Sequence, residues 1–566
     1  MATTLFLLAT LGSAFIMAAG TGQNQTLPPR PNFVFIMTDD QDVRMKSLDY
    51  QDVVKEQLMK KGTTFTKHFC TVSVCCPSRV SLLTGKAAHN TNVTSLTWPY
   101  GGYLKFTAQG LNDAYLPVWL QNHGYNTYYT GKLMNDHSTT TYNKTFANGW
   151  TRSDFLLDPH TYSYTNSVMA LDKEEYRSIK GLYSTDFIAN RSLEFLGNAV
   201  AAGKPFFLGV APVGPHSYVD SGRGFSNPVP AERHKNLFPG VRVPRSANFN
   251  PSKPGDASYL KTLPRLSSTQ VSYLDGFYRS RLQALQSIDD MVGRIVDALD
   301  KTPSVLANTY IIYTSDNGYH LGQHRLPPGK ACNIEEDINV PFIVRGPGVA
   351  QGQEVSLPTS HTDIVPTLFR LARLPLHDDF DGVPMPVTPD SRRQKAHRHP
   401  NEHVNVEYWG GGNHDGQGVF EDSARLMRQN TYKTLRLVGR DHDLMYAVWC
   451  TNEHQLYDMR DDPYQMKNLY GTKGNTSRYS IPALTARLDT LLLTLKNCKG
   501  KVCREPWRTL FPGPDDAVVS LDQAMDAKYD GFFAKQEKVT FSKCAYGQLL
   551  EFEGALRPAI YKDSRA

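Results

Sequence analysis

Two short apolar runs of the chain each end in side chains that carry oxygen atoms. The first run is followed by two adjacent aspartates and the second by an aspartate and an asparagine, namely Asp39, Asp40, Asp316 and Asn317. Three carboxylates and one amide oxygen suit a hard cation such as Ca²⁺ or Mg²⁺ better than zinc, which prefers histidine and cysteine. Either pair alone could instead cap a helix or turn a loop. If the two pairs meet in the fold, the sequence predicts a metal site.

A cysteine segment offers a second reactive group. The run VCCPSRVSLLTGK contains Pro77, which suits the first turn of a helix because its missing N–H is harmless there. Cys75 would then lie at a helix N-terminus, where the macrodipole favours negative charge and free N–H groups can hold an anion. A cysteine phosphatase would need an arginine six residues after the cysteine, but Ser81 is at that position, so we reject that class. Arg79 lies four residues on, one turn along the same face.

Four near-continuous apolar runs must position these groups, at residues 33–37, 125–130, 206–211 and 310–314. Runs of this length are typical of strands buried on both faces, as in a parallel sheet covered by helices. The second run leads into Lys132 and the third towards His216. In open α/β sheets ligands bind beyond the carboxyl ends of the strands, so we predict the site there.

Other patterns predict the surrounding elements. Apolar residues at steps of three and four over residues 272–299 predict an amphipathic helix that covers the sheet, on which Asp289 and Asp290 are expected to be surface charges. The basic stretch 392–400 indicates a linker or exposed loop and is too short to favour nucleic-acid binding. Beyond it, short strand patterns at 432–438 and 455–458 predict a smaller C-terminal α+β domain.

Composition and the N-terminal segment limit the function classes. The 566 residues are 40% hydrophobic and 11% aromatic, which is ample for a folded core, and a net charge of +6 is too mild to indicate nucleic acid or an anionic membrane as partner. Residues 1–20 are typical of a signal peptide, and no later stretch is long enough to span a membrane. We expect secretion, with a lysosome or vacuole as the alternative destination. Five N-glycosylation sequons support export, at Asn24, Asn92, Asn143, Asn190 and Asn475.

The cysteine segment resembles the modification motif of the type I sulfatases, Cys-x-Pro-Ser-Arg followed by Leu-Thr-Gly. The resemblance extends over about residues 31–469, with further family motifs in the family's order: Asp39-Asp40, Gly131-Lys132, Pro215-His216, Asp316-Asn317-Gly318 and Lys330. It implies an alkaline-phosphatase-like α/β fold, in which helices sandwich a mixed, mostly parallel sheet and a smaller C-terminal α+β domain follows. We expect a catalytic domain over residues 31–390 and a second domain over 401–566 that completes the substrate pocket.

The resemblance also implies a mechanism. In that family the cysteine is oxidised to formylglycine (3-oxoalanine), whose hydrate attacks the sulfur of a sulfate ester and gives a sulfated-enzyme intermediate. Conversion requires a formylglycine-generating enzyme as a partner during maturation. Arg79 would hold the hydrate, while Lys132, His216 and Lys330 would contact the sulfate and the leaving oxygen. One Ca²⁺ per subunit is implied, with the ligands Asp39, Asp40, Asp316, Asn317 and the converted Cys75.

One position departs from the family pattern. Many sulfatases have a histidine two residues after the lysine of Gly-Lys, where it acts as the base for sulfate release, but Met134 is at that position here. The following Asn135 and the run Asp-Asn-Gly-Tyr-His that ends at His320 resemble the glucosamine-6-sulfatase and extracellular sulfatase branch. We hypothesise that His320 takes over the missing catalytic role.

Several functions fit this reading. Phenolic sulfates have good leaving groups and are hydrolysed by most members of the family, so we predict an arylsulfatase, with an N-acetylglucosamine-6-sulfatase acting on sulfated glycans as the alternative. A phosphoesterase of the same superfamily would share the metal-binding acids. A protein that only binds its ligand would have no reason to keep the whole reactive set. The glycine-rich loop 408–414 could wall the pocket or be a plain turn.

The eight cysteines do not all pair on this reading. Once Cys75 is assigned to catalysis, seven remain, so at least one thiol stays free unless it bonds another chain. We predict a disulfide between Cys498 and Cys503, which are close in sequence. Cys76 is expected to pack beside the site as a small apolar residue.

Overall fold

A ten-stranded sheet forms the centre of the protein in the computed structural model, which describes residues 29–220, 224–397, 401–416, 418–513 and 518–562. The predicted signal peptide and Asn24 lie outside these ranges. In chain order the strands are β1 (Asn32–Thr38), β2 (Thr63–Phe65), β3 (Asn126–Gly131), β4 (Arg152–Leu156), β5 (Val168–Leu171), β6 (Arg177–Ser178), β7 (Phe206–Ala211), β8 (Thr309–Ser315), β9 (Phe342–Arg345) and β10 (Gln353–Val355).

The sheet is mixed but mostly parallel. Its spatial order is β10-β2-β9-β8-β1-β7-β3-β4-β5-β6. The five consecutive strands β8, β1, β7, β3 and β4 are parallel, whereas β9 beside β8, and β5 and β6 beyond β4, are antiparallel to their neighbours. The four apolar runs correspond to β1, β3, β7 and β8, which are adjacent in the sheet, so this prediction is confirmed.

Helices cover both faces of the sheet. Alternate residues of each central strand face opposite sides, and both sets are apolar and must be buried. On β1, Phe33 and Phe35 pack into one apolar layer, while Val34 and Ile36 pack into the other. The first layer holds the helices Cys75–Thr84, Gly102–Ala108, Leu116–Asn122 and Ile364–Leu371, and the second holds Ser184–Ala201 and Ser268–Asp300. The predicted fold class is confirmed.

The long helix predicted over residues 272–299 runs over Ser268–Asp300. It begins four residues earlier because Ser267 and Gln270 form a capping box, in which each side chain accepts a hydrogen bond from the backbone N–H of the other. The serine and glutamine at this spacing are visible in the sequence and mark the true start.

The prediction of two surface charges on this helix is wrong for Asp289. Its side chain is buried and accepts hydrogen bonds from the backbone N–H groups of Val53 and Val54, at 2.9 and 2.8 Å. These N–H groups start the short helix Asp52–Val54 and have no partner within it, so a buried acceptor more than 230 residues away satisfies them. Asp290 is exposed and forms an ion pair with Arg233.

The basic stretch predicted as a linker or exposed loop is also wrong in its first part. Residues 392–397 belong to the helix Pro389–His397, while residues 398–400 lie outside the described ranges. Arginine, glutamine, lysine and alanine are good helix formers, and their propensity outweighs the polar character of the stretch.

A four-stranded antiparallel sheet follows, with strands β11 (His403–Tyr408), β12 (Tyr432–Val438), β13 (Asp443–Trp449) and β14 (His454–Asp458). The helix Ile481–Leu495 packs against it through a leucine-rich core. The two predicted strand patterns correspond to β12 and β14, so the small C-terminal sheet with its helix is confirmed. The boundaries 31–390 and 401–566 stay predictions.

Several short elements lie between the sheets and the main helices. Two-residue ladders pair His68–Phe69 with Thr359–Ser360 and Gly329–Lys330 with Asn413–His414, and Tyr218–Asp220 pairs with Gly224–Ser226. The remaining α-helices are Ala88–Thr91, Pro303–Leu306, Glu335–Ile338, Glu421–Leu426, Lys501–Arg504, Pro506–Leu510, Leu521–Ala524 and Asp530–Ala534, and a π-helix covers Lys55–Met59. Among the described residues, no helix combines the length and apolar character needed to cross a bilayer.

Two disulfides stabilise the C-terminal part. One joins Cys498 and Cys503, as predicted, and the other joins Cys450 and Cys544. The four other cysteines have free, buried thiols: Cys70, Cys75, Cys76 and Cys332. Cys76 packs into the apolar layer between the sheet and its helices, as expected of a small apolar residue. The four sequon asparagines in the described ranges are exposed: Asn92, Asn143, Asn190 and Asn475.

Candidate active site

The carboxyl ends of four neighbouring parallel strands bring the predicted reactive residues together. Asp39 follows β1, Lys132 follows β3, and Asp316 follows β8 directly. His216 lies five residues beyond β7. Lys330 reaches the same place from the two-residue ladder with Asn413–His414. The site is therefore at the edge of the sheet where the sequence predicts it.

Cys75 is the first residue of the helix Cys75–Thr84. Val74 before it is extended and makes no side-chain cap, so the first backbone N–H groups of the helix are left for another acceptor. The Cys75 sulfur is 3.5 Å from Asp39 Oδ1 and 3.0 Å from Lys330 Nζ. Burial raises the pKa of the Cys75 thiol well above its usual value, although Lys132 and Lys330 oppose this. The thiol itself is therefore protonated and a poor nucleophile at neutral pH.

Two lysines neutralise the paired aspartates. Lys132 Nζ is 2.6 Å from Asp39 Oδ2, and Lys330 Nζ is 2.5 Å from Asp40 Oδ1. Burial alone would raise the pKa of Asp39, but Lys132 and its cationic neighbours outweigh burial and hold it at about 2. Burial opposes ionisation of Asp40 too, yet Lys330 lowers its pKa below the ordinary value. Both carboxylates are ionised at neutral pH.

Asp316 holds neighbouring residues of the site in place through hydrogen bonds. Its Oδ1 accepts the backbone N–H groups of Asp40 and Asn317, at 3.1 and 2.9 Å, and its Oδ2 accepts a hydrogen bond from Arg79 Nε at 2.8 Å. Arg79 also donates to the backbone carbonyl of Lys132 at 2.6 Å. Arg79 Nη2 lies 3.5 Å from Asp39 Oδ2 but makes no hydrogen bond in the protein, so this buried donor can still bind an anionic oxygen.

The oxygen atoms of the site fit a hard cation. Ligand atoms of Asp39, Asp40, Cys75 and His216 all lie within 4.8 Å of one another. Asp40 Oδ2 and Asn317 Oδ1 are buried and have no hydrogen-bond partner in the protein. Leaving a buried carboxylate oxygen unpaired is costly, and a bound cation would remove that cost.

His216 is held in one orientation. Its Nδ1 is 2.8 Å from the carbonyl oxygen of Ser217, which can only accept, so Nδ1 carries the proton. Nε2 lies on the other side of the ring, 3.6 Å from Asp40 Oδ2. Tyr162 stacks on the imidazole with ring centroids 4.2 Å apart, and Lys132 Nζ is 4.7 Å from the centroid of the same tyrosine. Sequence reasoning missed Tyr162, because no motif marks it.

His320 lies in a second buried cluster next to the site. Its Nδ1 is 2.7 Å from Asp337 Oδ1, its Nε2 has no hydrogen-bond partner, and its backbone bridges to Gly329, the neighbour of Lys330. The Asp337 carboxylate fixes the orientation of the imidazole, as an acidic partner does for a histidine that acts as a base. Its contacts are with Asp337 and Gly329 rather than with Cys75, so its role as a base stays a prediction.

The loop over residues 408–414 lies against a predicted catalytic residue. Asn413 pairs with Lys330 and His414 with Gly329 in an antiparallel ladder. Asp415, the next residue, is fully buried and was not predicted, although it directly follows the loop that the sequence singles out. The loop is therefore paired with the segment that carries Lys330, and its role as a wall of the pocket stays a prediction.

The family model described as Sulfatase matches residues 31–374, more than half of the chain. A relative named sulfatase ppz1, from Metarhizium majus, is 51% identical over 72% of this chain and 87% of its own. A relative named arylsulfatase, from Volvox carteri, is 36% identical over 95% of this chain and 84% of its own.

Two further matches are more distant. An N-acetylglucosamine-6-sulfatase from Homo sapiens is 29% identical over 87% of this chain and 88% of its own. Among solved structures, BT4656 in complex with its substrate D-glucosamine-2-N,6-O-disulfate matches with a TM-score of 0.61 and 22% identity, over 78% of this chain and 94% of that one. At that identity, the match shows a shared fold.

Proposed function

The chain belongs to the sulfatase family, whose members hydrolyse sulfate esters, and we propose that its substrates are aryl (phenol) sulfates. The observation that carries this proposal is the match to an arylsulfatase, which covers 95% of the chain at 36% identity. Phenolate is a good leaving group, so hydrolysis of a phenyl sulfate needs few contacts between the protein and the organic part of the ester.

We propose that Cys75 is converted to formylglycine by a formylglycine-generating enzyme, and that its hydrate supplies the nucleophile and carries the sulfate as a covalent intermediate. The buried, protonated thiol supports this, because it is a poor nucleophile as it stands. Arg79 and the N-terminus of the helix Cys75–Thr84 would bind the hydrate and the sulfate oxygens.

We propose Ca²⁺ as the resident metal, held by Asp39, Asp40, Asp316, Asn317 and the converted Cys75. When bound, the ion would polarise the sulfate and favour ionisation of the nucleophile. The unpaired oxygens Asp40 Oδ2 and Asn317 Oδ1 support this assignment. Asp39 and Asp316 already have both carboxylate oxygens in hydrogen bonds within the protein, whereas Asp40 keeps Oδ2 unpaired.

The cations of the site would stabilise charge that develops during the reaction. A sulfate monoester places negative charge mainly on the departing oxygen as the bond breaks. Lys132 and Lys330 are buried and held by ion pairs, and in such a site one donor contributes roughly 10²–10³ in rate. His216 presents Nε2 to the site, and in its doubly protonated form it would pass the Nε2 proton to the leaving oxygen.

The first test is mass spectrometry of the peptide that spans Cys75 to Arg79, together with hydrolysis of 4-nitrophenyl sulfate. We expect formylglycine at position 75 and loss of activity in Cys75→Ala. The matched control is Cys76→Ala, which changes the adjacent buried thiol and should keep most of the activity. Active protein with an unmodified thiol at Cys75 would contradict the mechanism.

The second candidate is an N-acetylglucosamine-6-sulfatase, favoured by the human relative that matches 87% of the chain. A phosphoesterase of the same superfamily is the third. Rates on 4-nitrophenyl sulfate, 4-nitrophenyl phosphate and N-acetylglucosamine 6-sulfate separate the three. We expect the first to be fastest, and a faster phosphate ester would refute the assignment.

We propose further that the protein is secreted and glycosylated and that the C-terminal domain over residues 401–566 completes the pocket. The exposed sequons support the first point, and the pairing of Asn413 with Lys330 supports the second. A mobility shift on treatment of the secreted protein with an endoglycosidase tests glycosylation. An unshifted band would contradict it.

A further inference from the structure

Asp415 is a buried carboxylate with one unpaired oxygen. Its Oδ2 accepts hydrogen bonds from the hydroxyls of Ser217 and Tyr319, each at 2.7 Å. Its Oδ1 is buried and has no hydrogen-bond partner in the protein. An unsatisfied buried acceptor destabilises a fold, so its presence calls for a donor from elsewhere.

The ladder places Asp415 on the same face as Lys330. Asn413 lies opposite Lys330 in the antiparallel pair, and opposed residues project from the same side of a ladder. The N–H of Asp415 donates to the carbonyl of Pro328 at 2.7 Å, which continues the pairing by one residue. Because side chains alternate along a strand, Asp415 shares the face of Asn413 and therefore of Lys330.

The two partners of Asp415 connect it to the rest of the site. Ser217 is the residue after His216, and its carbonyl fixes the histidine ring. Tyr319 lies two residues beyond Asn317. Asp415 therefore lies among Lys330, which faces the reacting cysteine, and the loops that carry the histidine and the metal-site amide.

We propose that Asp415 Oδ1 accepts a hydrogen bond from a hydroxyl or N–H group on the organic part of the sulfate ester. The inference rests on the proposed sulfatase function and deepens it: among the sulfate esters that enter the site, Asp415 assists those whose ring carries a donor next to the ester, as a sugar sulfate does. A phenyl sulfate without such a donor is hydrolysed without this contact. Asn413, on the same face, is the neighbouring polar contact for that ring.

The size of the effect follows from the chemistry. A site built around a charged acceptor discriminates strongly against a substrate that leaves the acceptor unpaired. A hydrogen bond to a charged group is worth a factor of roughly 10–100 in kcat/KM. Loss of Asp415 should lower kcat/KM by that factor for the donor-bearing ester, and by much less for one without a donor.

The test variant is Asp415→Asn. Its carbonyl oxygen can still accept the hydroxyls of Ser217 and Tyr319, while its NH₂ group replaces Oδ1 and presents a donor where an acceptor stood. We expect kcat/KM for N-acetylglucosamine 6-sulfate to fall about 10–100-fold and that for 4-nitrophenyl sulfate to change less than threefold. Equal losses on both substrates, or no loss on the sugar sulfate, would overturn the inference.

Two measurements separate this outcome from general damage and from failure of the proposed function. Ser217→Ala removes one inner hydrogen bond but keeps Oδ1, so it should affect both substrates equally.

If the unaltered protein hydrolyses the phenyl ester but neither hydrolyses nor binds the sugar sulfate, the inference fails and the function stands. If it hydrolyses neither ester, the function fails, and calorimetry of N-acetylglucosamine 6-sulfate with Cys75→Ala and with the double variant Cys75→Ala, Asp415→Asn decides the inference. Affinity reduced about tenfold by the second change supports it, and equal affinity or no binding refutes it.

Discussion

Glu407 stabilises the junction between the catalytic part and the C-terminal sheet. It is buried on β11, where its carboxylate contacts His89 Nδ1 and Lys433 Nζ, both at 2.9 Å. Burial alone would raise the pKa of Glu407, but His89 and Lys433 outweigh burial and lower it to about 2. Replacing this carboxylate in Glu407→Gln leaves the ammonium of Lys433 buried with only Glu553 Oε2, 3.8 Å away, as an acidic neighbour.

The contribution of Glu407 to the free energy of unfolding follows from the shift in its pKa between the unfolded and folded states. The difference between the ordinary value of 4.5 and about 2 corresponds to about 3 kcal/mol, at about 1.36 kcal/mol per unit. Because the folded pKa is depressed, this stability is present above pH 4.5 and is lost as the pH falls towards 2. For His89 burial lowers the pKa, but Glu407 outweighs it and raises it above 6.5, so its contribution is present below pH 6.5 and is lost as the pH rises through the raised value. The network therefore stabilises most between about pH 4.5 and 6.5.

The assay is thermal unfolding followed at pH 3, 4, 5.5 and 7.5. We expect Glu407→Gln to unfold at a clearly lower temperature than the unaltered protein at pH 5.5, and to lose less on going from pH 5.5 to pH 3. The matched control is Glu537→Gln, an exposed glutamate on the same C-terminal part, which should change neither quantity. An unchanged unfolding temperature at pH 5.5, or the same acid-induced loss in Glu407→Gln as in the unaltered protein, would refute the reasoning.

Three further predictions concern the site and its support. Lys330→Ala should lower kcat on 4-nitrophenyl sulfate by roughly 10²–10³ and move the acidic limb of its pH–rate profile upward, because Lys330 lowers the pKa of Asp40; an unshifted limb would contradict the ion pair. Asp289→Ala should destabilise the protein by about 1–3 kcal/mol in urea unfolding, because two backbone N–H groups at the start of a helix lose their acceptor, whereas Asp290→Ala should cost much less. Treatment with a calcium chelator should lower both activity and unfolding temperature, with both restored by Ca²⁺, and a chelated protein that keeps full activity would exclude a catalytic metal.

The sheet is predictable because its signal is local. Residues 33–37 and 206–211 are apolar throughout since both faces of β1 and β7 are covered, and the polar residues at their ends report where the site lies. The long helix is found from its period, and its start can be read from Ser267 and Gln270 once the capping box is sought.

The predictions from sequence that were wrong or missing have a common cause. Whether a polar side chain is buried depends on partners that are far away in the sequence. Asp289 looks like half of a surface pair, and only the N–H groups of Val53 and Val54 explain why it is buried. Asp415 belongs to no sequence motif. Its place beside the site is visible only from its hydrogen bonds with Ser217 and Tyr319, each about 100 or more residues away. A single sequence does not indicate which distant segments will meet.

The burial of Cys75 also has a consequence in time. The side chain is 1% exposed, and one of the groups that covers it is Lys330, 255 residues later in the chain. A second protein that acts on this thiol must therefore reach it before the pocket closes. At a synthesis rate of roughly 5–20 residues per second, those residues take about 10–50 s to emerge. If Cys75 is converted as proposed, the interval between synthesis of the cysteine and synthesis of its lysine neighbour is a period in which the site is open to modification, and a change that speeds closure would compete with the conversion.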